Sequence, residues 1–249
     1  MGAVPVALVV GFGAPARLPA AWAIDCAAGI EQEARHAGAH VVGGDVTAGD
    51  LVLVSVTGIG DLEGRSPVLR SGARPGDQVA VCGRLGWSAA GLALLAHGLT
   101  APEVLIADHL QPCPPYSAGV QAALSGATAM IDISDGLVAD ARHIAQASGV
   151  RIDLSWHAIV EHLADGAQLL RDAASQIEEG RADDVVRHWV MHGGEDHGLL
   201  ACFTGTPPAE FTVIGSVQAM APEAGVWLDG EPTRGAGGHE HYRSQERPV

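Results

Sequence analysis

Basic residues are scarce: 14 against 29 acidic ones, a formal net charge of −15 over 249 residues. So acidic a chain lacks the positive surface that non-specific nucleic-acid binding needs. Anionic small ligands stay compatible with it, because divalent cations bridge carboxylates to phosphates. Cysteine is scarce too. Cys26, Cys82, Cys113 and Cys202 are scattered without a C-x-x-C pair. That argues against a zinc ribbon or a disulfide framework and for a reduced, cytoplasmic protein. No apolar run is long enough to span a bilayer. The opening "MGAVPVALVVGFGAPARLPA" superficially resembles a signal peptide, but no Lys or Arg precedes its apolar run. A buried strand over "PVALVVGF" fits better. Also missing are G-x-x-x-x-G-K-[ST], G-x-G-x-x-G, G-x-S-x-G, H-E-x-x-H and the H-R-D with D-F-G pair. The motif-borne chemistries of those signatures are therefore not indicated.

What remains is a folding composition, with 47% apolar and 17% charged residues. The length suits one large domain or two smaller ones. Periodicity gives a mixed order of strands and helices. A strand is expected at about 4–12, followed by a helix between Pro19 and Gly38. "AHVVGGD" reads as a strand ending in glycines, and "DLVLVSVTGIGDL" as a long Val-rich strand. "RSGARPGD" is a breaker-rich turn and a domain junction. Beyond it, "QVAVCG" and "GATAMIDIS" read as strands, each followed by a helix. In the second helix Leu137, Ala141 and Ile144 share one face. "RIDLSWHAI" reads as a further β segment, and "EFTVIGSV" and "GVWLDGEP" as closing strands.

Chemistry concentrates in a few stretches. In "IDISDGL", an extended backbone puts Asp132 and Ser134 on one face, and Asp135 at the strand end. Gly136 permits a sharp turn into the helix, which Ser134 or Asp135 can cap. Two carboxylates and a hydroxyl at such a junction suit hard oxygen ligation of Mg²⁺. A plain capped helix fits the same spacing. In "VVGGDVTAGD", Gly43 and Gly44 allow close backbone approach to a ligand, with Asp45 at a strand end; an ordinary glycine turn fits equally. Arg70 offers a guanidinium fork that matches phosphate oxygens, while residues 73–77 read as a plain Pro-Gly turn. "MHGGEDHGLL" shows Glu195 and Asp196 on a glycine loop. His188, His192 and His197 invite a zinc reading, but they straddle a predicted break. "CGRLGWSAAG" reads as strand, turn and helix, with Ser88 near an N-cap, better than as a phosphate loop.

Taken in order, "GGDVTAGD", "VTGIG", "LRSGARPGD", "SAAGLALL", "ATAMIDISDGL", "IAQASGVRIDL" and "GGEDHGLL" resemble the thiamine-monophosphate kinase family. That family belongs to the ATP-binding superfamily that includes aminoimidazole ribonucleotide synthase. The resemblance implies a two-domain α+β fold of mixed sheets flanked by helices. Residues 1–69 would be the remaining part of an ATP- and Mg-binding domain. Residues 70–249 would be the C-terminal domain, with a polar tail from about 234.

The resemblance further implies ATP-dependent phosphorylation of thiamine phosphate to thiamine diphosphate. Phosphate would pass directly from ATP with Mg²⁺ and no protein nucleophile, so catalysis would be positioning and electrostatics. Residue by residue, Gly44, Asp45, Arg70 and Ser134 would contact ATP. Asp45, Asp132 and Asp135 would hold Mg²⁺. Glu195 and Tyr242, or else His239, would contact thiamine phosphate. The partners would be these two small molecules, with no nucleic acid or membrane, and a homodimer.

The family's usual "GDDAA"-like segment is not seen, and "MGAVP" looks like the end of its "SD-x-A-A-M-G-A" motif. The first domain is therefore expected to be incomplete and the chain weakly active or inactive. Trp87 stands where the family often has Asp, and His197-Gly198 where it often has Tyr-Glu. Another enzyme of the superfamily (aminoimidazole ribonucleotide synthase or selenophosphate synthetase) and a non-catalytic remnant that binds nucleotide or a partner chain are the alternative readings.

Overall fold

The computed structural model describes residues 1–164, 166–220 and 223–233. In chain order the elements begin with β1 (Val4–Ala14), α1 (Ala20–His36), β2 (His40–Ala48) and β3 (Leu53–Asp61). They continue with β4 (Gln78–Cys82), α2 (Trp87–Ala96), α3 (Glu103–Leu110) and α4 (Ala118–Leu124). Next come β5 (Ala127–Ile133), α5 (Leu137–Ser148), β6 (Val150–Leu154), α6 (Trp156–Leu163), α7 (Gly166–Ile177) and α8 (Ala182–His192). The last are β7 (Gly198–Phe203), β8 (Thr212–Ala219), β9 (Gly225–Leu228) and β10 (Glu231–Pro232). The mixed α+β composition matches the expectation from sequence.

Two compact units divide the chain. The small unit, Gly2–Pro67, holds a three-stranded sheet ordered β2-β1-β3. β1 and β2 run parallel, so a crossover is needed, and α1 supplies it. Gly38, with φ of 82°, lies just beyond the end of α1, where its N–H bonds back to the Arg35 carbonyl.

The large unit carries a seven-stranded sheet ordered β10-β9-β6-β8-β4-β7-β5. Alternation along its strands feeds two cores. Ala129, Ile131 and Ile133 of β5, with Val79 and Val81 of β4, join the main core, to which α2, α5, α7 and α8 contribute. Met130 and Ala80 face the other way and pack with Ala118, Ala122, Phe203 and Phe211. Leu137, Ala141 and Ile144 are each fully buried, as the shared helix face requires.

Several sequence expectations need correction. "RIDLSWHAI" is not β throughout: β6 stops at Leu154, and Ser155 caps α6 by accepting the Ala158 N–H. A Ser at this position offers the backbone a helix start that apolar alternation hides. "AHVVGGD" does not end at its glycines. β2 runs on to Ala48, leaving Asp45 in mid-strand opposite Gly11.

Candidate active site

The "IDISDGL" stretch folds as its pattern suggests, up to its cap. Ile131 and Ile133 turn into the core, and Asp132 and Ser134, half-buried, alternate with them. Neither Ser134 nor Asp135 caps α5. The N-cap is Gly136, with φ of 117° and no side-chain acceptor. Asp140, one turn into the helix, does the work instead. Its Oδ2 accepts the backbone N–H groups of Asp135 at 3.0 Å and Gly136 at 3.1 Å. This is the back-reaching half of a capping box, shifted by one residue. It holds the Asp135 turn closed.

Asp140 is 2% exposed, and burial pushes its carboxyl up to about 6 against the opposing pull of those N–H donors. The carboxylates of Asp135 and Asp132 repel it and add to the rise. Asp135, Asp140 and His143 offer ligand atoms that all lie within 4.8 Å of one another. Two carboxylates so close suit a hard divalent cation such as Mg²⁺. Asp140 was missed from sequence because an acid in the first turn of a helix is usually only a helix-end charge.

The "GGED" loop meets this turn backbone to backbone. The Glu195 N–H donates to the Ser134 carbonyl at 2.8 Å, and the His197 N–H to the Ile133 carbonyl at 2.9 Å. Glycine is required for the approach: a Cβ on Gly194 would lie 2.4 Å from the Ser134 oxygen. A Cβ on Gly136 would lie 2.8 Å from the His192 oxygen. The two acids of the loop part company. Glu195 is displayed, with its Oε2 at 3.4 Å from His197 Nε2. Asp196 turns inward and is 4% exposed, against the expectation that both acids would be on display.

Asp196 accepts the N–H groups of Gly86 at 2.5 Å and Ser88 at 2.9 Å. These donors open α2, whose N-cap is Gly86 rather than Ser88. An internal carboxylate thus occupies the place that a phosphate would need at this helix start. Burial pushes the Asp196 carboxyl up to about 7, opposed by the N–H groups of Ser88 and Gly86. The Ser88 hydroxyl instead lies 2.9 Å from His109 Nδ1.

Other expected site residues fall elsewhere. Arg70 is exposed, and its carbonyl accepts the hydroxyl of Ser148, at the far end of α5 from Asp135. Gly44 and Asp45 belong to the small unit. There they border a groove of about 530 Å³ lined by Val10, Phe12, Ile30 and Val41. Gly44 is demanded by packing: a Cβ there would meet the Val10 oxygen at 1.9 Å, so the close approach is to β1. His188 and His192 lie with ring centroids 5.3 Å apart and planes tilted by 44°, whereas His197 pairs with Glu195. The three do not gather as a zinc set. Tyr242 and His239 lie outside the described residues.

Residues 1–62 match the family described as AIR synthase related protein, N-terminal domain, and residues 74–221 its C-terminal domain counterpart. The thiamine-monophosphate kinase of Mycobacterium tuberculosis is 50% identical over 242 residues, covering 97% of this chain and 69% of that one. The chain belongs to the thiamine-monophosphate kinase family. That of Corynebacterium glutamicum is 40% identical over 92% of this chain and 68% of that protein. A solved structure, AaThiL complexed with AMPPCP and TMP, superposes with a TM-score of 0.80 at 29% identity. It covers 97% of this chain and 75% of that one. In this chain the Asp135 turn and the Glu195 loop are two acidic features that the large unit joins by direct backbone hydrogen bonds.

Proposed function

We propose that the chain transfers a phosphoryl group from ATP to thiamine phosphate, giving thiamine diphosphate. The observation that carries this reading is the meeting of the Asp135 turn with the Glu195 loop in a member of this family. One loop presents acids fit for a divalent cation. The other presents a carboxylate fit for the cationic thiazolium ring of thiamine. No serine, cysteine or histidine nucleophile with an attendant base is needed, because direct transfer is catalysed by positioning and charge stabilisation.

In this reading Asp132 and Asp135 hold Mg²⁺, and Asp45 of the small unit has the same assignment. The ion supplies neutralisation of the phosphate oxygens when bound. Ser134, Gly44 and Asp45 contact ATP. Arg70 contacts an ATP phosphate; the 14 basic residues of the chain are all arginine, so side-chain cations for phosphate other than histidine are guanidinium forks. Glu195 contacts thiamine phosphate, with Tyr242 or His239 as further contacts. A cytoplasmic location and a homodimer belong to the same proposal. Exposed apolar residues such as Val46 and Leu53 support the second; no described helix is long and apolar enough to cross a membrane, which is compatible with the first.

The test is ADP release with ATP, Mg²⁺ and a panel of phosphate acceptors, alongside calorimetry with a non-hydrolysable ATP analogue. Release dependent on thiamine phosphate, and analogue binding lost in Asp132→Ala plus Asp135→Ala, is expected. Release with aminoimidazole-type or selenide acceptors alone would refute it.

A further inference from the structure

Glu195 and His197 both hold left-handed backbones, with φ of 66° and 52°. Residues with a Cβ adopt this region only where their surroundings impose it. The surroundings are specific here. The N–H groups of Glu195 and His197 bond to the end of β5. Between them, Asp196 plunges inward and grips the first turn of α2 through Gly86 and Ser88. Three consecutive residues are therefore fixed alternately to two elements. The outcome is that Glu195 and His197 emerge together, within 3.4 Å of each other, beside the Asp135 turn.

We propose that Asp196 is a positioning residue for the substrate: its side-chain oxygens, accepting the Gly86 and Ser88 N–H groups, clamp the loop to α2 and so fix the one backbone conformation that presents Glu195. The inference rests on Glu195 contacting thiamine phosphate. Asp196 touches neither ligand; it acts through its neighbour. A plain helix cap would make the same two hydrogen bonds, but loosening such a cap would disturb α2 and leave Glu195 where it is.

The experiment uses the full chain and Asp196→Asn, which keeps the shape but replaces one acceptor oxygen with a donor facing an N–H. The variant is expected to raise KM for thiamine phosphate about tenfold or more, with KM for ATP within about threefold. Amide exchange at Glu195 and His197 should quicken about tenfold or more along with that at Gly86 and Ser88. In a Glu195→Gln background, Asp196→Asn should add nothing further to KM. An unchanged KM in the folded variant, independent effects of the two substitutions, or faster exchange confined to Gly86 and Ser88 would overturn the proposal. Should the variant fail to fold, exchange in the wild-type chain decides. The four amides opening as one unit supports the clamp, and Glu195 and His197 opening on their own refutes it. A wild-type chain with no turnover of thiamine phosphate would sink the functional reading alone, since the exchange comparison still reports on the clamp.

Discussion

The two units treat similar strands in opposite ways. Val79 and Val81 of β4 are fully buried, while Val46 of β2 is 77% exposed and Leu53 of β3 is 65% exposed. All lie in apolar, β-branched stretches. The difference is one of layers. Within the large unit, helices cover one face of a seven-stranded sheet, and α4 with Phe211 covers part of the other. Within the small unit, one helix and three strands cannot bury both faces. Strand formation is a local outcome, but burial is a collective one. The small unit leaves apolar residues such as Val46 and Leu53 exposed, while the large unit puts its polar groups to local use, with Asp140 and Asp196 each bonded to backbone N–H groups.

Changes to the large unit should dominate, and the strongest is at the proposed site. Asp132→Ala with Asp135→Ala should lower turnover by about a thousandfold or more, on the order of 4 kcal/mol of transition-state stabilisation, with circular dichroism unchanged. A smaller loss would shift the centre of the chemistry away from this turn. Next comes packing. Ile133→Ala should cost about 2–5 kcal/mol in urea unfolding. Val56→Ala on the exposed strand β3 should cost under about 1 kcal/mol. Equal costs would break the contrast between the units.

Titration of Asp196 gives a subtler contrast. Its carboxyl keeps its proton up to about pH 7 when folded, against an ordinary value of 3.8. The folded state therefore binds more protons across that window, and rising pH lowers wild-type stability through this group. Asn has no proton to release. Between pH 4 and 7 the stability of Asp196→Asn relative to wild type should rise, by on the order of a few kcal/mol, in pH-dependent urea titrations. A flat difference would mean that the carboxyl titrates normally. Glycines sharpen the comparison on a smaller scale. Gly194→Ala forces a Cβ to 2.4 Å from the Ser134 carbonyl, whereas a Cβ on Gly43 of β2 meets nothing within 4 Å. The first should cost about 1–3 kcal/mol and the second under about 1 kcal/mol, read from denaturation midpoints. Smallest in stability is Val46→Lys, expected to reduce self-association by light scattering while leaving the midpoint within about 0.5 kcal/mol.

Much was legible in the chain itself. Short apolar runs bounded by turn residues placed β4, β5 and β8, and the spacing of Leu137, Ala141 and Ile144 gave the buried face of α5. Motif order gave the family. These signals are local, because a strand's pleat and a helix's pitch are set by neighbouring residues. Ser155 concealed a helix start within an apolar run, and the glycines of β2 suggested a strand end that is not there. In the second case packing against Val10 is what requires Gly44.

Local sequence shows which residues carry charge, where most strands and the buried face of α5 lie, and that acids recur beside glycines. What each acid does depends on contacts that long-range packing brings to it. Glu195 and Asp196 are adjacent in the chain, yet one faces solvent and the other is buried against a helix more than a hundred residues upstream. Hydrogen-bond donors that distant leave no trace in local spacing, and a buried carboxylate is kept in place by whichever N–H groups the fold brings to it.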